Sequence, residues 1–324
     1  MQRFSCLAAI VSILLVTALG CESRITGNMG NLEFSYPAAD SPGNFNKPIA
    51  VGAKLELKVA EAGSRRQVEL QSAETDDPDI LSVLSFSGDS FILEGMGSGN
   101  ALVSVTATVP SGETLPDAVN MMARVPDVLT ISHTCASGPE AHYLVNHDVK
   151  VGFAMAFQQQ SVIGYGYHPV DFDPPDALDL DVTSRDQRFM NLRTGEEPGV
   201  VVMTSQIDDT TASMILVEKA DVDGARLGPT GQGPAVVGTS RFYHLLPTIE
   251  ESPICQAVMA FTVESETPEI CSAFVVGEPV APALANEEGW VRIDPLEVGT
   301  CTFTVAFTDI ADVEARIDVE VIDP

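Results

Sequence analysis

Three stretches, spaced one hundred residues apart, carry a glycine followed by residues that alternate between apolar and polar. They are Gly99-Asn100-Ala101-Leu102-Val103-Ser104-Val105-Thr106-Ala107, Pro198-Gly199-Val200-Val201-Val202-Met203-Thr204-Ser205 and Gly299-Thr300-Cys301-Thr302-Phe303-Thr304-Val305-Ala306-Phe307. A two-residue period rich in Val, Thr and Phe predicts a strand with one face on a core. The leading glycine permits a positive-φ turn ahead of that strand. Short apolar or alternating runs at 32–36, 54–59, 90–94, 149–157, 241–246, 290–293 and 315–322 add further strands. No stretch shows the 3.6-residue period of a long amphipathic helix. The chain reads as all-β, and a repeat the length of one domain reads as a repeated domain.

The first copy spans about 31–126, the second 127–220 and the third 221–324. Seven short strands in the first, with turn signals every ~8–12 residues, match a two-sheet sandwich. Each copy also holds an acidic, proline-bearing turn ahead of a strand. These turns include Asp76-Asp77-Pro78-Asp79-Ile80, Asp171-Phe172-Asp173-Pro174-Pro175 and Glu266-Thr267-Pro268-Glu269-Ile270. With the glycines aligned, Pro78 and Pro268 are expected to coincide and Pro174 to fall nearby. The second copy alone carries Val162-Ile163-Gly164-Tyr165-Gly166-Tyr167-His168, aromatic and glycine-spaced.

Residues 51–59, 76–83 and 91–107 together resemble the bacterial immunoglobulin-like domains of the group 2 type. In that family a Val-Gly-Glu-like turn opens the second strand, and an Asp-Pro segment and a Pro-Gly-Thr-Ala strand follow. The Trp usual in the family before the Ser-x-Asp segment is missing here. The resemblance implies three tandem immunoglobulin-like β-sandwiches. It brings no functional residues with it.

Ahead of the repeats, Met1-Gln2-Arg3 forms a short cationic head, and an apolar run over 7–19 ends in Ala18-Leu19-Gly20 before Cys21. That is a secretory signal, too short to span a bilayer. The junction resembles the lipobox of bacterial lipoproteins, with Ala18 where Leu is usual. The resemblance implies cleavage after residue 20 and lipidation of Cys21, so the chain meets the membrane through an N-terminal lipid. Glu22 stands where the inner-membrane retention signal of enteric bacteria has Asp, which favours the outer membrane of the cell envelope. Residues 21–30 are polar and read as a tether with a mean reach of roughly 15–18 Å. No second apolar run approaches a spanning length.

A formal net charge of −29 excludes nucleic acid as a natural partner, since phosphate backbones are repelled. With 45% hydrophobic residues the chain is a folded acidic protein and not an acidic tail. Four cysteines follow Cys21, at 135, 255, 271 and 301, an even count that fits two disulfides in an exported compartment. Cys271 with Cys301 is the preferred bridge, and Cys255 is the rival partner for either. Cys135 then reaches Cys255 near the junction of the second and third copies, or stays reduced. The absence of Cys-x-x-Cys spacing argues against a structural zinc site.

Four of five histidines, His133, His142, His147 and His168, lie in the second copy, and His244 lies in the third. No nucleophile elbow, zinc-protease motif or phosphate loop accompanies them. No cofactor motif is present. Calcium is the one ion the acids point to, at Asp171, Asp173, Asp221 and Asp223, against the plainer reading of solvated acidic loops. The sequence therefore predicts a non-enzymatic, lipid-anchored module for binding, adhesion or structure, with a protein or glycan as the kind of ligand its loops would take. A passive envelope stalk is the first alternative. A hydrolase with an acidic or histidine site in the second copy is the other, and converging histidines would favour it.

Overall fold

A computed structural model of the chain describes residues 24–37, 45–228, 233–257, 259–276, 289–310 and 312–324. Residues 1–20, expected from sequence to be a signal peptide, and Cys21 lie outside the described residues. In the first sandwich β1 (Arg24–Thr26), β2 (Leu32–Ser35), β3 (Ile49–Ala50), β4 (Lys54–Glu61), β5 (Glu69–Thr75), β6 (Leu81–Ser87), β7 (Ser90–Gly95), β8 (Gly99–Thr108) and β9 (Thr114–Arg124) follow in sequence. They form one sheet of order β1-β2-β4-β7-β6 and another of order β3-β9-β8-β5.

The second sandwich contains β10 (Val128–Ser132), β11 (Glu140–Leu144), β12 (Asp148–Phe157), β13 (Gln160–Ser161), β14 (Val170–Asp173), β15 (Leu178–Leu180), β16 (Phe189–Thr194), β17 (Gly199–Ser205) and β18 (Thr211–Val217). Its sheets run β10-β12-β16-β15, with β13 on β12, and β11-β18-β17-β14. The third contains β19 (Gly224–Leu227), β20 (Ala235–Val236), β21 (Arg241–Ile249), β22 (Ser252–Pro253), β23 (Phe261–Ser265), β24 (Cys271–Val275), β25 (Trp290–Pro295), β26 (Gly299–Phe307) and β27 (Glu314–Ile322). Its sheets run β19-β21-β25-β24, with β22 on β21, and β20-β27-β26-β23. In every copy a short strand crosses over to pair parallel with the last strand: β3 with β9, β11 with β18, β20 with β27. With the remaining ladders antiparallel, this is the strand order of an immunoglobulin-like sandwich.

Alternation places the core. In β8 the residues Ala101, Val103, Val105 and Ala107 are buried, and in β26 Cys301, Phe303, Val305 and Phe307 are. They pack on the facing sheet's apolar positions, such as Leu55, Leu57, Phe91 and Leu93 in the first sandwich. Burying one such aliphatic side chain contributes about 1.5–3 kcal/mol, which is how a half-polar strand holds its register.

The registers also fix which positions correspond. Leu81, Leu178 and Cys271 open equivalent strands opposite Gly95, Thr194 and Pro295. The carbonyls just before them, of Ile80, Ala177 and Ile270, accept from the N–H of Met96, Gly195 and Leu296 at 2.9, 2.8 and 2.7 Å. Counting back, Pro175 and not Pro174 takes the place of Pro78 and Pro268.

The repeated glycines have two different reasons. Gly199 and Gly299 have φ of +157° and +153°, whereas Gly99 is not among the positive-φ residues. What Gly99 supplies is space: a Cβ there would lie 2.3 Å from the Ile80 side chain, and at Gly299 2.9 Å from Ile270 Cδ1. The isoleucine of the acidic-proline turn lies over Gly99 and Gly299, so the positive φ expected from sequence holds at Gly199 and Gly299 and is replaced at Gly99 by a packing requirement.

The polar segment ahead of the first sandwich is not a free tether throughout. Residues 24–26 form β1, antiparallel to β2, with Arg24 opposite Ser35. The cause is a buried carboxylate on a distant strand. Asp117 of β9 accepts the backbone N–H of Met29, Asn31, Leu32 and Ala118, each at 2.8 Å, and is 1% exposed. Gly27 passes so close that a Cβ would meet the Asp117 carboxyl carbon at 2.3 Å.

Candidate binding surface and interdomain joints

The structure pairs the four described cysteines, Cys271 with Cys301 and Cys135 with Cys255. Cys271 and Cys301 stand where the first sandwich has Leu81 and Ala101, so the third sandwich cross-links across its core what the first packs with aliphatic groups. Cys135–Cys255 has a different task, since it joins the second sandwich to the third across 120 residues.

Both joints use one device. After β12, Gln158 and Gln159 take φ of 48° and 68° and turn the chain back; after β21, Glu250 and Glu251 do so with 48° and 67°. β13 and β22 then pair back on the strands they left. The next residues reach the preceding sandwich. Ile163 N–H donates to Pro48 O at 2.9 Å, and Cys255 N–H donates to His142 O at 2.8 Å. Pro48 and His142 correspond, each standing one residue before the parallel pairs Ile49–Ala123 and Tyr143–Leu216.

From there the joints diverge. At the first, Ala50 N–H donates to Ile163 O, and Tyr165 and Lys54 exchange two backbone bonds, all at 2.9 Å. Ile163 joins the core of the first sandwich. Gly164 has φ +127° and lies against Ala53, and the Tyr167 ring covers Gly52. Arg185 stacks on Tyr165 at 5.0 Å and pairs with Glu56. The aromatic insertion of the second copy is thus a clasp. At the second joint Ile254 is fully buried, and the Gln256 amide imitates a strand. Its Oε1 accepts from Lys150 N–H at 2.8 Å and its Nε2 donates to Lys150 O at 2.6 Å.

The second copy's histidines do not converge. His133 is buried with Nε2 3.2 Å from Pro139 O and Nδ1 3.0 Å from the Tyr143 hydroxyl. Because a carbonyl only accepts, Nε2 carries the hydrogen and Nδ1 accepts from Tyr143. Burial holds His133 below the usual histidine range, opposed by the Pro139 carbonyl and Glu140. His147 Nδ1 donates to Val145 O at 2.8 Å. His142 lies on β11 at the second joint. His168 packs on Phe153 and is also held low by burial, which the nearby Asp181 opposes. His244 of the third sandwich packs against Trp290.

The acids named for calcium also stay apart. Asp171 accepts from Gln206 at 2.6 Å, Asp221 from Glu218 N–H at 2.9 Å, and Asp223 from Glu250 N–H at 2.7 Å. Asp173 ends β14 opposite Val202. Among the described residues no group of three or more His, Cys, Asp or Glu is arranged to hold a metal ion.

The second sandwich also has two hollows. A cavity of about 330 Å³ lies between the acidic-proline turn and the start of β17, lined by Pro174, Ala177, Gly195, Pro198, Val201 and Leu216 with Asp176, Glu196 and Glu197 beside them. It adjoins the site that an isoleucine fills in the other copies. Ala177 stands at that position, and a Cβ on Gly199 would meet nothing within 4 Å. A wider groove of about 720 Å³ runs over β12, β15 and β16 toward Gln256, with Lys150, Asp179, Asp181, Asn191 and Arg193 among its lining. No histidine lines either. The sequence left the 330 Å³ cavity unread; its one signal was Ala177 in place of isoleucine.

Topology and joints define a series of tandem immunoglobulin-like β-sandwiches. No family model and no curated protein matches the chain. Among solved structures, domains 4–9 of the surface layer protein SbsC align over 94% of this chain and 46% of theirs, with 16% identity and a TM-score of 0.29. SGBP-B of the Bacteroides ovatus mixed-linkage glucan utilization locus, in complex with a mixed-linkage heptasaccharide, aligns over 89% of this chain and 68% of its own, with 9% identity and a TM-score of 0.26. Invasin, a bacterial integrin-binding protein, aligns over 90% and 60%, with 12% identity and a TM-score of 0.22. This chain spans under half of the SbsC fragment. The fold assignment rests on the strand order above and not on these likenesses.

Proposed function

We propose that this chain is a lipid-anchored, non-enzymatic module of the bacterial cell envelope, built from group 2-type immunoglobulin-like domains as a stiff arm that holds a binding surface away from its anchor. The observation that carries this reading is the repeated joint. The second and third sandwiches each send a hairpin back onto the one before, which turns a flexible string of domains into a locked series, whereas tandem domains by default move against one another. Dispersed histidines favour a module over a hydrolase. Cys21, as the lipid carrier, would place the first sandwich at the membrane surface, because β1 begins at Arg24 and leaves little slack.

Small-angle scattering of the mature chain tests the arm. The wild-type protein should fit one rigid arrangement. A Gly164→Asp, Cys255→Ser double variant should require an ensemble with a larger mean radius, and an equal ensemble for both proteins would refute the stiff arm. Fractionation of a Cys21→Ser variant tests the anchor separately: it should leave the membrane fraction or remain unprocessed, and membrane retention at mature mass would defeat the lipid assignment.

A further inference from the structure

We propose that the cavity beside Ala177 is a binding site for an isoleucine-sized aliphatic side chain on a basic peptide segment of a partner protein. The first argument is internal. In the first and third sandwiches the chain fills this place itself: Ile80 lies over Gly99, and Ile270 over Gly299. In the second, the register is unchanged and Ala177 N–H still bonds to Pro174 O at 3.3 Å, but the plug has been cut back to a methyl group. The hollow keeps an apolar floor of Val201 and Leu216, both 2% exposed. An unfilled apolar surface loses dispersion contacts that a matching side chain restores.

The second argument is charge. Asp176, Glu196 and Glu197 line the cavity, all three are exposed, and no Lys, Arg or His does. Among the described residues none of the three carboxylates makes an ion pair. An aliphatic residue flanked by Lys or Arg satisfies floor and rim together, while an acidic or uncharged peptide satisfies at most the floor. The site lies wholly within the second sandwich and does not depend on the lipid anchor or on the stiffness of the joints.

The test titrates the mature chain, both disulfides intact, with acetyl-Lys-Ile-Lys-amide, read by backbone-amide NMR. Shifts should concentrate at Gly195, Gly199, Val201 and Leu216. Acetyl-Glu-Ile-Glu-amide and acetyl-Lys-Gly-Lys-amide should each bind about tenfold more weakly or worse. Ala177→Ile, which restores the plug of the sister copies, should also lose about tenfold or more without lowering the unfolding midpoint. Should Ala177→Ile fold poorly, the surface double variant Glu196→Gln, Glu197→Gln carries the test, with the Lys-Ile-Lys preference over Glu-Ile-Glu reduced. No localised shift with Lys-Ile-Lys would overturn the proposal. So would equal binding of the acidic peptide, undiminished binding by a folded Ala177→Ile chain, or equal binding by 1,5-diaminopentane, which lacks a peptide backbone.

Discussion

Between the first and second sandwiches the joint is held by backbone pairing, by an aromatic clasp over glycines, and by Arg185 reaching Glu56. Between the second and third, the same hairpin arrives in the same register, and Ile254 packs with Leu144 and Val217 of the second sandwich. The polar contact there is one backbone bond and a glutamine amide, and a disulfide is added. A joint can thus be specified by geometry and apolar packing and then secured either by further pairing or by a covalent bond. The two solutions should fail under different treatments.

The largest effect is expected at the second joint. Cys135→Ser or Cys255→Ser removes a cross-link spanning 120 residues, for which the chain-entropy model gives about 4–5 kcal/mol. Denaturant unfolding should show the loss in the transitions of the second and third sandwiches and leave the first unmoved. Removing the carboxylate in Asp117→Ala should cost about 3 kcal/mol, because it strands buried N–H groups at the head of the chain. Hydrogen exchange should then rise at Met29, Asn31 and Leu32 and spare both joints.

Gly164→Ala acts on the first joint alone. Its φ is +127° and its new Cβ would meet Ala53 Cβ at 2.6 Å, so a loss of about 1–3 kcal/mol is expected. Amide exchange at Ala50 and Lys54 should accelerate, with no change near Lys150. The smallest effect is with pH. Burial depresses the folded-state titration of His133 and His168, so the unfolded chain binds those protons first. Stability of the second sandwich is full above about pH 6.5 and falls as pH drops below it. The first sandwich has no histidine over 31–126 and should show no such loss over pH 7.5 to 5.5.

What was legible in the sequence follows from where the determining contacts lie. The alternation of β8, β17 and β26 is local, and so was readable, as was the all-β class. The acidic-proline turns were readable too, but placing Pro175 opposite Pro78 and Pro268 needed the strand register. β1 was hidden because Arg24-Ile25-Thr26 is too short to show a period and is organised by Asp117, about ninety residues away. The run from Val162 to His168 stood out as foreign to its domain, yet its purpose depends on Pro48, Ala50 and Lys54 of another sandwich. The 330 Å³ cavity is the subtlest case, since its sequence mark is one alanine at a position defined by comparing three folded copies.

The carbonyl that receives the incoming hairpin, Pro48 in the first sandwich and His142 in the second, corresponds to Pro234 in the third. There the acceptor is taken by the same sandwich, because Arg241 turns its guanidinium onto Pro234 O. The molecule thus spends two of its three equivalent carbonyls on joining sandwiches. Its third acceptor is quenched from within, as exposed sheet edges commonly are against unwanted pairing. Arg241 thus holds, inside the third sandwich, the carbonyl that in the other two receives the hairpin of the next domain.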